Sequence, residues 1–195
     1  STGDHVEWFS DPFGNNQVGN GNSIQLDNLT DTVTIYARNA ALIAGEDFQV
    51  GPAQHEGLTK YNAAFVNGGQ LFDVLEPITL HQISVYTDSA GTRSIDINNG
   101  LNFFFEYQLD LEPGLTVIDL EVDLPIGSYT MTTNTDINNQ SFGTNSPYLW
   151  RSSENVVYPY EIQSVVSIYN STFGEDFYYY FYDWKISTLD KECFT

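Results

Sequence analysis

Alternation of apolar and polar positions is cleanest in the middle of the chain. In LNFFFEYQLDL (101–111), Leu101, Phe103, Phe105, Tyr107, Leu109 and Leu111 fall on one face of a strand. Asn102, Glu106, Gln108 and Asp110 fall on the other, with Phe104 the exception. LTVIDLEVDLP (115–125) repeats the pattern, with Ile118, Leu120, Val122 and Leu124 inward and Asp119, Glu121 and Asp123 outward. Strand side chains point alternately to opposite faces, so each stretch predicts a half-buried strand with one wet face, as in a sandwich. Glu112-Pro113-Gly114 between them is turn chemistry and predicts that the two pair as a hairpin.

The same reading predicts strands at 70–76, 78–87, 92–98, 127–133 and 161–170. Turn residues separate them at Asn67-Gly68-Gly69, Asp88-Ser89-Ala90-Gly91, Asn98-Asn99-Gly100, Pro125-Ile126-Gly127 and Phe173-Gly174-Glu175-Asp176. The polar run from Asn134 to Pro147 reads as a long loop. YYYFYDWKIS (178–187) is apolar on both faces until Asp183, which predicts a central strand covered on both sides. Tyr180, Phe181 and Trp184 are expected to be buried, and Tyr178 and Tyr179, next to the preceding turn, more exposed. The opening stretch differs in kind. It has a Trp8 strand, a Gly/Asn-rich turn and a Thr/Ile/Tyr strand ending at Ala37, which places a boundary near Asn39.

Many short strands at regular spacing indicate a sandwich or barrel. Thirteen Tyr, thirteen Phe and scarce lysine agree, and no long run repeats apolar residues at a helical period. A chain of 195 residues holds one domain, or one domain with a small extra piece. The single cysteine, Cys193, allows no internal disulfide. Twenty-six acidic against six basic side chains, net charge −20, argue against a nucleic-acid surface and against attraction to anionic membranes. No window approaches a membrane span.

VEWFSDPFGNNQVGNGNSIQLDNLTDTVTIYAR (6–38) resembles the second half of an immunoglobulin-like module common in large secreted proteins of Bacteroidetes. The likeness rests on Trp8-Phe9, Asp11, Gly14, Gly21-Asn22-Ser23 and Leu29-Thr30 through Tyr36, with Ile35 in place of the first tyrosine of the usual pair. Residues 42–187 resemble the jelly-roll module that follows such halves, through VGP, FDVLEPITLHQISVY, GTRSIDI, LPIGSYTM, YLWR, YPYEI and YYYFYDWKI. The resemblance implies an all-β chain. Residues 1–38 would be a partial immunoglobulin-like unit, 39–187 a galactose-binding-like jelly-roll β-sandwich, and 188–195 a linker or the start of a following unit. It further implies secreted or cell-surface display, through the type IX pathway, in an adhesin or in a multidomain enzyme with accessory modules. Asp31-Thr32-Val33 and Asp88-Ser89-Ala90 fit the short O-glycosylation pattern of such proteins, and equally fit ordinary turns. Too few strands lie in 1–38 to close a sandwich. That segment is expected to dock on the main domain or to accept a strand from another chain, which opens self-association.

The chemistry-bearing residues are sparse. His5, His55 and His81 have no metal-ligand spacing, and His81 within an alternating strand reads as a packed or surface histidine. No nucleophile motif is present, and the surplus of acids makes a glycosidase pair uninformative, so the chain reads as a non-enzyme. The asparagine- and aspartate-rich stretches 96–100 and 134–139 lack the EF-hand pattern and read as turns. In sugar-binding jelly rolls a structural calcium often lies between an acidic first strand and an aspartate of the last. The resemblance therefore nominates Glu46, Asp47 and Asp183 for calcium. Sugar recognition needs exposed rings beside hydrogen-bonding groups, and Tyr148, Trp150, Arg151, Tyr158 and Tyr160 supply them. The same residues also read as sandwich packing, with Pro159 confining that segment to an edge and Arg151 paired to a carboxylate. The expected function is a non-catalytic extracellular module for adhesion or glycan recognition, with a glycan or surface polymer as partner. A self-assembling stalk or filament subunit and an accessory module of a secreted glycoside hydrolase are the alternatives.

Overall fold

A computed structural model describes residues 5–58, 60, 65–100 and 104–194. The chain is all-β with antiparallel sheets and one short helix, and it divides into two compact units, Ser1–Gly45 with Leu189–Thr195, and Glu46–Thr188.

In the first unit, strands β1 (His5–Phe9), β2 (Gln17–Asn20) and β3 (Tyr36–Ile43) are joined by a strand from the chain's other end, β16 (Lys191–Phe194). They form one sheet in the order β16-β3-β1-β2. The β1–β2 turn is set by Asp11, whose carboxylate accepts from the backbone N–H groups of Phe13, Asn15 and Asn16. Trp8 Nε1 donates to the Gly21 carbonyl at 2.8 Å, and Arg38 pairs with Glu7 at 2.6 Å while covering the Phe9 ring. The expected strand ending at Ala37 instead begins at Tyr36 and continues through Asn39 to Ile43. Its C-terminal half is held because Lys191 pairs with Ile43 and Cys193 with Ala41. Residues 191–194 are thus a strand of this sheet. The strand that the opening segment lacks comes from its own chain.

In the second unit two sheets enclose one core. The larger has the order β12-β13-β5-β10-β7-β8, built from β12 (Tyr160–Ile162), β13 (Val166–Ser171), β5 (Gly69–Val74), β10 (Gly127–Thr133), β7 (Gly91–Asn98) and β8 (Phe104–Leu111). The smaller is β4 (Asp47–Val50), β15 (Tyr182–Thr188), β6 (Ile78–Thr87) and β9 (Gly114–Leu124), in the order β4-β15-β6-β9. This is the sandwich class the alternation implied. Phe72 of the larger sheet meets Trp184 of the smaller edge-on, with ring centroids 4.9 Å apart, and both are fully buried. A short pair, β11 (Arg151–Ser152) with β14 (Tyr178–Tyr179), stands beside them.

Several local expectations change. β8 and β9 are not a hairpin: β8 pairs with β7 and β9 with β6, so Glu112-Pro113-Gly114 carries the chain from one sheet to the other. β8 is thereby an edge strand, which leaves Tyr107 40% exposed; Leu101 and Phe103 lie outside the described residues. The Asn134–Pro147 run is not all loop. Asn134 accepts from the N–H groups of Asp136 and Ile137 and caps helix α1 (Thr135–Phe142), which ends at Gly143 in the left-handed conformation. Stretch 161–170 is a hairpin of β12 and β13 that turns through Ser164. Stretch 178–187 is two strands, β14 and β15, because Tyr180 has φ +71° and redirects the chain.

Candidate functional site

The aromatic run lies at the heart of the second unit. Tyr178 and Tyr179 are fully buried, against the expectation that they would be the more exposed, and Tyr180 through Tyr182 and Trp184 are buried too. Each hydroxyl has a partner that makes burial tolerable. The Tyr178 hydroxyl and Trp184 Nε1 both donate to the Phe181 carbonyl, at 2.8 and 2.6 Å. The Gly68 N–H donates to the Tyr180 hydroxyl at 3.0 Å, and the Tyr182 hydroxyl donates to the Trp150 carbonyl at 3.0 Å. Burial pushes the Tyr178, Tyr180 and Tyr182 phenols above their ordinary range, so they stay neutral and act as packing and hydrogen-bonding groups. A Cβ on Gly68 would lie 2.0 Å from the Tyr179 ring, so only glycine lets the chain entering β5 approach it.

The five residues nominated for sugar binding separate into three clusters. Tyr148 packs edge-on against Phe142 of α1 at 5.4 Å, and Phe142 in turn lies under Arg93. Arg93, which sequence reasoning passed over, is fully buried. Its guanidinium donates to the carbonyls of Pro147, Gly91 and Ser89 and to Thr87 Oγ1, tying the β6–β7 turn to the segment after α1. Burial alone pulls its pKa down to about 10. Arg151, Tyr158 and Tyr160 join the buried tyrosines. Tyr158 stacks on Tyr178 at 6.0 Å and its hydroxyl donates to Gln70 Oε1 at 2.8 Å, while Tyr160 meets Tyr178 edge-on at 5.3 Å. Arg151 has no carboxylate partner among the described residues. Its guanidinium lies 3.7 Å from the Phe177 ring centre and donates from Nη1 to the Tyr179 hydroxyl at 3.1 Å.

Trp150 borders the buried tyrosines: its neighbours Tyr86 and His55 meet the Tyr182 ring edge-on at 5.5 and 6.3 Å. It stacks nearly parallel on Tyr86, 5.9 Å between centroids at 14°, and Lys60 Nζ sits 3.8 Å from the centre of its ring. His55 meets Trp150 edge-on at 5.2 Å, and Lys60 pairs with Asp88 at 3.8 Å. All four neighbours except the exposed Asp88 are, like Trp150 itself, half-buried. Main-chain bonds hold this arrangement. The Trp150 N–H donates to the Tyr86 carbonyl and the Arg151 N–H to the Lys60 carbonyl, while His55 Nε2 lies 3.1 Å from the Arg151 carbonyl. Around it, the Glu56 carboxylate accepts from the Asn155 amide and its carbonyl from the Ser153 N–H, so His55, Glu56 and Lys60 brace the segment 151–155. An amphipathic indole beside a cation, a carboxylate and an imidazole is the arrangement a polyhydroxylated ligand would use. Lys60 and His55 carry little sequence signal, because they lie about 90 residues from Trp150 and enter through the fold.

The nominated calcium residues are spread along one strand pair. Asp47 faces Ser187 in the β4–β15 register, whereas the Asp183 N–H bonds to the Pro52 carbonyl beyond the opposite end. At about 3.3 Å per residue this sets Asp47 and Asp183 roughly 13 Å apart along the strand. Asp183 accepts instead from Gln49 Nε2 and from Lys185 Nζ. Among the described residues no three histidine, cysteine, aspartate or glutamate side chains converge as a metal site. Among them, too, no helix is long and apolar enough to cross a membrane. No family model matches this chain, and no curated protein or solved structure is significantly similar to it.

Proposed function

We propose that the chain is an extracellular β-sandwich module that recognises glycans on a surface, with Trp150 as the platform. The observation that carries this reading is the half-buried Trp150–Tyr86 stack with the Lys60 ammonium lying over the indole and His55 and Asp88 beside it, so that a sugar ring would take the place of the lysine on the indole face. Sugar rings stack on indole through their C–H faces, and their hydroxyls take hydrogen bonds from groups at the rim. The surplus of 20 negative charges suits neutral or cationic polymers better than anionic ones, since long-range repulsion slows the approach of a like-charged ligand. The test is a glycan array probed with the full chain and with Trp150→Ala. Binding by the parent that the variant loses, with its melting transition kept, supports the reading. A variant that binds the same glycans as strongly rules it out.

A self-assembling role draws on a separate observation. In the first unit Phe9 is the one buried hydrophobic side chain among the described residues, while Val18, Leu29, Val33 and Ile43 are exposed. A sheet with so small a core gains stability from burying that surface against a copy of itself.

A further inference from the structure

On the outward face of the β4-β15-β6-β9 sheet, three side chains form a continuous hydrogen-bonded relay. His81 Nδ1 is 2.8 Å from Glu121 Oε2, and His81 Nε2 is 2.8 Å from Ser187 Oγ. With its proton on Nδ1, His81 donates to Glu121 and presents the Nε2 lone pair to the Ser187 hydroxyl. That is the order acid–imidazole–hydroxyl needed to activate a serine oxygen.

The backbone is irregular on both sides of His81, and only there do these three residues meet. Toward β9, Leu80 pairs with Val122 and Gln82 with Asp119, so Leu120 and Glu121 together oppose His81, and Glu121 takes φ +49°. Toward β15, Ile186 pairs with Leu80 and Lys185 with Gln82, so His81 has no partner in the ladder. Bulges re-aim side chains and bend strands, and a non-glycine residue in the left-handed region carries a conformational cost that the surrounding structure must offset. Here that cost falls on the carboxylate residue that orients the imidazole.

Beside the relay lies an open hollow of about 400 Å³ lined by Asp47, Phe48, Gln49, His81, Lys185 and Ile186. The side chains on its outward face are those of Asp47, Gln49, His81 and Lys185, while Phe48 and Ile186 pair with each other and turn their side chains to the core. The Lys185 ammonium and Gln49 amide both donate to Asp183, and they become donors to a developing oxyanion only by turning from that carboxylate. Lys185 is one of only six basic residues in the chain.

We propose that Ser187, His81 and Glu121 form an acyl-transfer site that hydrolyses carboxylic esters with small acyl groups seated in this hollow. Ser187 Oγ attacks the ester carbonyl as its proton passes to His81 Nε2, giving a tetrahedral oxyanion. Collapse breaks the bond to the alkoxy oxygen, which leaves as an alcohol with the proton from His81. Water, deprotonated by His81, then attacks the acyl-serine, releasing the carboxylic acid and returning the proton to Ser187. Glu121 stays ionised throughout and holds the Nδ1–H. This runs against the sequence expectation of a non-enzyme. It does not depend on the glycan reading of Trp150.

The experiment treats the full chain with p-nitrophenyl acetate and, separately, with a fluorophosphonate that labels activated serines, locating the adduct by peptide mass. The expected result is labelling at Ser187 and ester turnover. Ser187→Ala should abolish both, and His81→Gln should lower them by about 100-fold, the usual worth of a positioned base. Glu121→Gln should lower turnover as well, and melting curves establish that each variant is folded. Absence of an adduct at Ser187, or turnover unchanged in folded Ser187→Ala, overturns the proposal. Should His81→Gln fail to fold, labelling of the parent at Ser187 alone decides.

Discussion

Asp96 shows how a single side chain in this fold acts against its own charge. It is nine-tenths buried on β7, accepts from Ser94 Oγ at 2.6 Å, and faces Glu106 directly across the β7–β8 ladder. Burial raises its pKa above the ordinary 3.8 and Glu106 adds to the effect, while the bonds from Ser94 and Asn134 oppose it without prevailing. A carboxyl group whose pKa is raised by folding favours the folded state most below its unfolded value, and that contribution is lost as pH rises through the folded value. Asp96→Asn should therefore raise the melting temperature near neutral pH, with a gain that fades toward about pH 3, where aspartate itself is neutral. Melting curves across that range check it, and a pH-independent difference would contradict it. Phe181, fully buried between the sheets, should cost about 3–5 kcal/mol when truncated to alanine, as emptied aromatic sites do. Denaturant titration measures this, and a loss below about 1 kcal/mol would mark the ring as peripheral.

At the scale of elements, what was legible followed from local pattern. Strands β6 and β10 lie where alternation placed them, and β9 keeps its inward residues in phase despite the bulge at Glu121. Pairing was less legible, because Glu112-Pro113-Gly114 looks the same whether it closes a hairpin or crosses between sheets. Helix α1 had a signal in Asn134, Asp136 and Gly143, a cap at each end, but its polar composition hid it. The break at Tyr180 had none, since a positive φ at tyrosine is imposed by tertiary packing and not by propensity. β16 was hidden by distance in sequence: its partner β3 lies about 150 residues away. Removing residues 190–195 should leave β3 as an open edge with unpaired backbone groups. The truncated chain should then self-associate more than the parent in size-exclusion chromatography with light scattering, and an unchanged oligomeric state would argue that β16 adds nothing to the sheet.

For the whole molecule, the sites were less legible than the fold for one physical reason. Composition and alternation report which residues are covered, but a site is a meeting of residues from distant strands. The stretch 148–160 drew notice for its rings, yet Tyr148, Arg151, Tyr158 and Tyr160 went to packing or bracing roles, and Trp150, half-buried like the three tyrosines, is the ring that meets both a lysine and a histidine. Its companions Lys60 and His55 come from a segment with no aromatic signal of its own, and the Ser187–His81–Glu121 relay joins three strands. The glycan reading is tested most directly by calorimetric titration of the strongest array ligand into the parent, Trp150→Ala and Tyr107→Ala, the last an exposed aromatic on an edge strand. Affinity should fall by about tenfold or more in Trp150→Ala, equivalent to about 1.4 kcal/mol, and stay unchanged in Tyr107→Ala. Equal affinity in parent and Trp150→Ala, or equal losses in the two variants, would contradict a binding platform at Trp150.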